Sequence, residues 1–255
     1  MSTSFIKICL ASSFITLLST CVQADVVEKI EKTFEGSNNT SFQLSNVNGS
    51  VDITSWGNST IKVTATITTD NQDDRDNIVI DMQQTSSGLT IETRYKERES
   101  WGHNSRTGKV EYVVMVPINS TLSAINLVNG SLSIENVKGS VNAELVNGSI
   151  KAIGLASNSE LSSVNGSIKV SYSELATSLE RIAIETVNGS IKVSVPKSLH
   201  ATVEAETMHG NIKTDFGLSA KKSFIGGRHL SGEIGSGAVD ITMKSVNGSV
   251  KLLSH

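Results

Sequence analysis

The chain has 255 residues, of which 22 are basic and 25 acidic, so its formal net charge is −3, and only 4% of its residues are aromatic. This length is sufficient for one domain with a buried core. The slight acidic excess excludes attraction of nucleic acid or anionic lipid through overall charge. After residue 24, no apolar stretch approaches the roughly 18 residues that a membrane-spanning helix requires.

Residues 1–24 have the layout of a secretory signal peptide. Lys7 precedes an apolar run that ends at residue 18, and a small-x-Ala cleavage site ends at Ala24. We therefore expect an exported protein whose mature chain begins at Asp25. Its expected location is the periplasm, the cell surface or the medium.

The two cysteines of the chain, Cys9 and Cys21, both lie in this leader. Plain cleavage would therefore leave a mature protein without thiol or disulfide chemistry. The alternative is a lipoprotein signal in which Cys21 is acylated, although Thr20 is an unusual residue directly before such a cysteine.

The mature part, residues 25–255, is predicted to be a single domain, because no linker rich in Pro, Gly or Ser divides it. Residues 25–118 are expected to form a less regular β part. Apolar and polar residues alternate there in short runs, as in Ile61–Ile67 and Val110–Val116, which is the period of a half-buried strand.

An acidic stretch, Asp70–Asn77, spaces its oxygen atoms in the manner of a calcium-binding loop. Arg75 stands where such a loop requires glycine for its bend, and no helix is predicted on either side. The sequence therefore favours an acidic hairpin tip between Ile61–Ile67 and Ile78–Met82.

A second charged stretch, Glu92–Lys109, is the first place to look for a binding patch. Its candidate binding residues are Arg94, Trp101, His103 and Arg106. The alternative is a solvated hairpin between Leu89–Thr93 and Val110–Val116 with no binding role.

One repeated unit dominates residues 119–255, and its first copy occurs earlier in the chain. Val-Asn-Gly-Ser followed by an aliphatic residue occurs six times. The predicted structural turns are Asn48-Gly49, Asn129-Gly130, Asn147-Gly148, Asn165-Gly166, Asn188-Gly189 and Asn247-Gly248. Asn and Gly accept positive φ values at little cost, so each pair predicts a bend between two short strands. Six copies indicate one structural unit that stacks on itself.

Two folds use such bends, an antiparallel meander with Asn-Gly hairpins and a β-solenoid. The copies recur every 16 to 23 residues, with looser versions at Lys138, His209 and Ser231 and a helical candidate or longer connection at Ser173–Arg181. A meander needs no identical bends. In a solenoid, equivalent positions lie about 4.8 Å apart in successive coils, so a file of Asn amides can bond along the stack. The sequence therefore predicts an all-β fold, a β-helix-like solenoid.

The segment Asn48–Trp56, with the sequence Asn-Gly-Ser-Val-Asp-Ile-Thr-Ser-Trp, resembles the opening of the bacterial putative-adhesin family, whose function is unknown. Val110–Pro117 followed by Leu122–Ser131, and Ile191–Pro196 followed by Val203–Ile212, are similar to that family's module of strand, proline and next Asn-Gly. The resemblance spans nearly the whole mature chain. It implies an exported β-solenoid and supplies no catalytic residues.

The sequence contains no recognisable catalytic constellation and predicts neither a metal nor a cofactor. The five histidines lack paired ligand spacing. Acidic residues of the repeats are scattered along the strands, as solubilising residues are; they include Glu144, Glu160, Glu185, Glu204 and Glu206.

The first functional hypothesis is a non-catalytic, adhesin-like envelope or surface protein that presents a rigid solenoid face to an unknown protein or glycan. One alternative is a carbohydrate-active solenoid enzyme, a lyase or hydrolase, which would need carboxylates converging in a groove. Another is a periplasmic envelope-stress scaffold that acts through protein contacts. Self-association through solenoid ends is also expected, with an open strand edge near Leu252 and Leu253.

Overall fold

The computed structural model describes residues 25–37, 39–96, 108–173, 178–222 and 226–255, which lie mainly in strands. The predicted signal peptide is outside these ranges. The strands are β1 (Val26–Phe34), β2 (Ser41–Asn48), β3 (Val51–Trp56), β4 (Ile61–Thr69), β5 (Ile78–Gln84), β6 (Gly88–Tyr95), β7 (Lys109–Pro117), β8 (Thr121–Asn129), β9 (Leu132–Glu135), β10 (Val141–Asn147), β11 (Ile150–Leu155), β12 (Ser159–Asn165), β13 (Ile168–Tyr172), β14 (Arg181–Asn188), β15 (Ile191–Val195), β16 (Ala201–His209), β17 (Ile212–Thr214), β18 (Lys221–Lys222), β19 (Arg228–Ile234), β20 (Val239–Asn247) and β21 (Val250–Ser254). A short helix, α1 (Gln72–Asp76), joins β4 to β5.

Two large sheets enclose the core. Sheet A has ten strands in the order β1-β4-β7-β3-β9-β11-β13-β15-β21-β17, and sheet B has eleven in the order β18-β19-β16-β20-β14-β12-β10-β8-β2-β6-β5. Each repeat contributes one strand to sheet B and the next to sheet A, and these strands pair in parallel with the equivalent strands of neighbouring repeats. Each repeat is therefore one flattened coil, and the predicted all-β solenoid is confirmed.

The order of the coils in the stack differs from their order in the chain. The last coil, β20 and β21, lies between the coil of β14 and β15 and the coil of β16 and β17. Asn247 is therefore the neighbour of Asn188, and His209, which we expected to follow Asn188, lies one coil further out. The coil of His209 ends in the three-residue strand β17, and short strands are suited to a sheet edge.

Two expectations about the end of the stack are wrong. Ser231 lies in β19, which pairs antiparallel with β16 and covers the edge of sheet B, so it does not mark another coil. Leu252 and Leu253 lie in β21, which pairs with both β15 and β17. The last strand of the chain is thus inside sheet A, and no free edge exists there.

The two predicted hairpins in the N-terminal part are also wrong. β4 and β5 lie in different sheets, and Asp70–Asn77 contains α1. Asn71 caps the N-terminus of this helix, where its Oδ1 accepts the backbone N–H of Asp74. β6 and β7 also lie in different sheets, and each pairs in parallel with a strand of the Asn48 coil. β6 and β7 therefore form a further coil of the stack. A hairpin would have paired them antiparallel in one sheet, whereas here each bonds in parallel to a strand of the neighbouring coil.

Residues of most repeat strands alternate between core and solvent, with exceptions such as Ala183 of β14, which is buried between Ile182 and Ile184. In β16, for example, Ala201, Val203 and Ala205 are buried, whereas Thr202 and Glu204 are exposed. The buried residues of all coils form one continuous apolar cluster. The predicted insertion Ser173–Arg181 connects β13 to β14; residues 174–177 are outside the described ranges, and Arg181 already belongs to β14.

Two buried tyrosines predict a loss of stability at alkaline pH. Burial raises the pKa of Tyr112 to about 12 and raises that of Tyr172 as well, while hydrogen bonds to Thr93 and Ser159 oppose the shifts. A raised pKa in the folded state gives stability that is present below the unfolded value of about 10 and is lost as pH rises. Denaturant titrations from about pH 9 to 12 should show this fall, and Tyr172→Phe should make it shallower. An equal slope in both proteins would contradict the assignment.

Candidate binding surfaces

The corners where the chain passes from sheet B to sheet A are joined by a ladder of asparagine side chains. From Asn129 onward, the Nδ2 of each asparagine donates to the Oδ1 of the preceding one in the stack at 2.8 to 3.0 Å. The order along the ladder is Asn48, Asn129, Asn147, Asn165, Asn188 and Asn247. Backbone bonds run beside it, such as Gly148 N to Asn165 O at 3.0 Å. The corners therefore stack in vertical register.

The glycine of each corner lies against the corner of the adjacent coil. A Cβ on Gly166 would lie 1.9 Å from the carbonyl oxygen of Gly148, and the same crowding recurs in the corners of Gly130, Gly148, Gly189 and Gly248. Gly49 also has a positive φ of 119°. Gly49 is the only one of the six corner glycines with a positive φ, and no corner asparagine has one, so the expectation of positive φ from the sequence is wrong for the other corners. The close approach of successive coils explains the repeated glycine.

A second ladder lies beneath the corners and was not predicted from the sequence. The residue two before each corner asparagine points into the core, and in several coils it carries a hydroxyl. Ser163, Thr186 and Ser245 donate to glycine carbonyl oxygens of adjacent corners at 2.9, 2.9 and 3.0 Å. These bonds satisfy carbonyl groups that the coil stacking would otherwise bury without partners. The sequence signal that could have predicted this ladder is the Ser or Thr that directly precedes Val-Asn-Gly in several copies.

The outer face of sheet A carries a straight row of lysines, which we call the lysine file. It consists of the residue four positions after the corner Asn or His in five coils, in the stacking order Lys151, Lys169, Lys192, Lys251 and Lys213. Adjacent members are register partners in parallel strands, about 4.8 Å apart, so the file spans about 19 Å. Four of the lysines are exposed, and Lys192 is half-buried.

No member of the lysine file forms a salt bridge with any residue in the described part of the chain. Serines border it on the corner side, where the Oγ of Ser149 accepts the backbone N–H of Ser167 and the Oγ of Ser167 accepts that of Ser190, both at 3.2 Å. On the other side, Ser171 and Ser194 are register partners. Carboxylates of this face lie toward its two ends: Glu135 and Asp52 at the end of Lys151, and Asp215 at the end of Lys213.

Mutual repulsion within the lysine file should make Lys169, which has a lysine on each side, destabilising. We expect Lys169→Gln to raise the free energy of unfolding by roughly 0.5 kcal/mol at low salt, since like charges on adjacent strands cost a few tenths each. The gain should vanish near 1 M NaCl, where the screening length is about 3 Å. Lys62→Gln is the control, because Lys62 lies 3.9 Å from Glu31. Equal effects of the two substitutions would contradict uncompensated repulsion in the file.

The outer face of sheet B is acidic and carries an apolar stripe. Its exposed acids are Glu144, Glu160, Glu185, Glu204 and Glu206. The residue before each corner asparagine or histidine forms the stripe, of which Val146, Val164, Val187, Val246 and Met208 are 40–49% exposed. A groove of about 510 Å³ lies along this stripe and is also lined by Glu185, Glu206, Arg228, His229 and Lys244. The two outer faces thus differ in charge and in polarity.

Glu204, Glu206 and His229 lie close enough together to hold a metal ion, with one potential ligand atom of each within 4.8 Å of the others. The antiparallel pairing of β16 and β19 assembles them, and sequence spacing could not reveal it. Within this group, His229 Nδ1 lies 3.2 Å from Glu206 Oε1, within hydrogen-bond distance. A further cation at this position would be repelled by two lysines on the neighbouring strands. Lys221 is the register partner of His229, and Lys244 is that of Glu206.

Of the binding residues predicted in Glu92–Lys109, only Arg94 lies in the described residues. It belongs to β6, near the opposite end of sheet B from the groove, and its guanidinium lies 3.0 Å from Asp81 and 3.7 Å from Glu92. Trp101, His103 and Arg106 fall outside the described residues. In the ranges that the structure covers, no helix is long and apolar enough to cross a bilayer.

Several solved structures are similar to this chain. A putative cell adhesion protein from Clostridium sporogenes is 13% identical, with a TM-score of 0.51, and the alignment covers 90% of this chain and 100% of that one. A putative adhesin from Bacteroides fragilis is 14% identical, with a TM-score of 0.41 and coverage of 88% and 97%. A putative lipid binding protein from Parabacteroides distasonis is 12% identical, with a TM-score of 0.35 and coverage of 90% and 96%. No curated protein matches the chain significantly.

A family model covers the regular part of the stack. The model described as Toastrack DUF4097 matches residues 117–253, which is more than half of the chain. The matched part runs from the end of β7 to β21 and includes the asparagine ladder from Asn129 onward and the whole lysine file. The resemblance to the bacterial putative-adhesin family is thereby confirmed, and the chain belongs to the Toastrack DUF4097 family.

Proposed function

We propose that the protein is an exported, non-catalytic, adhesin-like component of the bacterial cell envelope that binds a partner through an outer face of its solenoid. The observation that carries this proposal is the segregation of charge between the two faces. Lysines repeat along sheet A and acids along sheet B, on a scaffold whose corners are locked by the asparagine ladder. A rigid face binds with a small entropy cost, because its side chains are already held in position.

The sequence and the comparisons lend further support. Residues 1–24 have the layout of an export signal. The Clostridium sporogenes protein, which shares the fold, is described as a putative cell adhesion protein. Both features agree with a protein that works outside the cytoplasm, and in this proposal residues 25–255 act as one binding domain.

Export and binding are tested by one fractionation experiment. The full chain, expressed with a C-terminal tag, should appear in the periplasm or on the cell surface, and a variant without residues 2–24 should remain in the cytoplasm. Protease treatment of intact cells then separates a surface role from the periplasmic scaffold role. The purified exported form should sediment with isolated envelopes. Cytoplasmic retention of the full chain, or no sedimentation, would overturn the proposal.

A carbohydrate-active enzyme is the competing function, and the groove on sheet B is where it would act. The two groove carboxylates each contact a basic side chain: Glu185 Oε1 lies 4.0 Å from Lys244 Nζ, and Glu206 is paired with His229. A lyase or hydrolase needs carboxyl groups available to the substrate. We expect no turnover of acidic or neutral polysaccharides; turnover that Glu206→Gln abolishes would establish the enzyme instead.

A further inference from the structure

We propose that the lysine file on sheet A is the binding site for an extended acidic polysaccharide, a glycan that carries a carboxylate on its repeating sugars. This inference deepens the proposed function and rests on it, because it names the face and the class of partner. The site is built by Lys151, Lys169, Lys192, Lys251 and Lys213.

The first argument is uncompensated charge. Five ammonium groups stand on consecutive strands with no salt bridge to the described residues, although the chain as a whole carries an excess of acids. Those acids on the regular coils lie mainly on the opposite face, at positions such as Glu144, Glu185 and Glu206. Like charges on directly paired strands oppose each other. A bound polyanion would neutralise the file and release the counterions that surround it.

The second argument is geometry. The file runs along the solenoid axis, perpendicular to the strands, and repeats one ammonium about every 4.8 Å over about 19 Å. A linear polymer laid along this axis meets equivalent lysines at each step, whereas a small anion would use one or two of them. The regular spacing of the lysines therefore favours a polymeric ligand whose charged units also recur at regular intervals.

The third argument is the chemistry beside the lysines. The Oγ atoms of Ser149, Ser167 and Ser190 each accept a backbone N–H, which leaves the hydroxyl hydrogens of these exposed serines free to donate to a ligand. Carboxylates and sugar hydroxyls accept such bonds. Together, the lysines and serines present a basic, hydroxyl-rich strip that matches an acidic glycan.

The same surroundings disfavour other polyanions. The positions that border the file away from the corners carry Ile153, Ser171, Ser194, Leu253 and Asp215. None of these is an aromatic residue on which nucleic-acid bases could stack. The file is also one lysine wide, whereas attraction to an anionic membrane grows with the number of basic groups that reach the surface together.

The test uses the purified exported protein and polygalacturonate as the probe, with dextran as the neutral polymer and duplex DNA and phosphatidylglycerol vesicles as other polyanions. We expect binding to polygalacturonate that weakens steeply with added salt, and none to dextran. The double variant Lys169→Ser/Lys192→Ser should lose at least about ten-fold in affinity, since two adjacent contacts at the centre of the file are removed.

The matched control is Lys221→Ser/Lys222→Ser, which removes the same charge from two exposed lysines of β18 in sheet B. This control should change the affinity less than about two-fold, because it leaves the lysine file intact.

The outcomes distinguish a failure of the lysine file as the glycan site from a failure of the proposed envelope-binding function. Equal weakening by both double variants would show a non-specific charge effect and overturn the file as the site. Tighter binding to DNA or to vesicles than to polygalacturonate would overturn the class of partner. If the protein sediments with envelopes but does not bind polygalacturonate, this inference fails and the proposed function stands. If the protein binds neither envelopes nor polygalacturonate, this inference and the proposed function both fail. Thermal unfolding should give an equal or higher Tm for the file variant, so lost binding would not reflect lost folding.

Discussion

Gly166→Ala should destabilise the protein by about 3 kcal/mol, at the upper end of the cost of overpacking. A Cβ at this position would lie 1.9 Å from the carbonyl oxygen of Gly148 and 2.5 Å from its carbon. Both are backbone atoms of a corner whose N–H bonds to Asn165 and whose carbonyl oxygen accepts the Ser163 hydroxyl, so they cannot move aside as a side chain would. In a domain of this size the loss should lower Tm by roughly 6 to 12 °C. Urea denaturation followed by circular dichroism measures it.

The matched control is Gly57→Ala. Gly57 has no atom within 4 Å of the position of an added Cβ and no positive φ, so the substitution should leave the free energy of unfolding within about 0.5 kcal/mol of the original protein. If Gly166→Ala were as mild as Gly57→Ala, successive corners could not approach each other as closely as the stacked arrangement requires.

The second large effect concerns two adjacent residues of β14. Ile184 is completely buried, and Ile184→Ala should cost about 3 kcal/mol, since removal of a buried aliphatic side chain costs roughly 2–5 kcal/mol. Glu185 is exposed on the other face and lies 4.0 Å from Lys244. Glu185→Ala should therefore change stability by less than about 1 kcal/mol, the range of exposed ion pairs.

This pair of substitutions tests the register of the strand. Successive residues of a strand point to opposite faces, and a shift by one residue would exchange their environments. Denaturant midpoints of the two variants provide the measurement. A larger loss from Glu185→Ala than from Ile184→Ala would reverse the assignment of core and solvent faces throughout the coil.

The regular coils could be predicted from the sequence because their signals are local. Asn147-Gly148 and its equivalents specify a bend, and the alternation in Ile168-Lys169-Val170 specifies which face is buried. Identical bends at similar intervals favour stacking in register. The asparagine ladder follows from the same reasoning.

The coil order and the ends of the stack depend on non-local pairing and had no comparable signal. Nothing near Asn247 indicates that its coil inserts between those of Asn188 and His209, and nothing in β19 indicates that it runs antiparallel to β16. Sequence reasoning predicts strands better than their partners, since a strand pairs with whichever edge its register fits.

The lysine file had a readable signal that the overall charge concealed. A lysine follows the corner at the same distance in five coils, as in Lys151, Lys169 and Lys192. A net charge summed over the chain cancels this row against the acids of sheet B. In a stacked repeat, the charge at each position of the coil is the more informative quantity.

Engineered disulfides test the stacked register and the order of the coils most directly. In a protein whose Cys9 and Cys21 are replaced by serine, Lys192→Cys/Lys251→Cys pairs two residues on adjacent parallel strands, whose Cα atoms are about 4.8 Å apart and thus within disulfide range. Lys192→Cys/Lys213→Cys joins strands separated by β21, at about twice that spacing and beyond the reach of a disulfide. Mild oxidation followed by mass spectrometry should show a cross-link in the first protein and none in the second. A cross-link between positions 192 and 213, with none between 192 and 251, would contradict the insertion of β21 between β15 and β17.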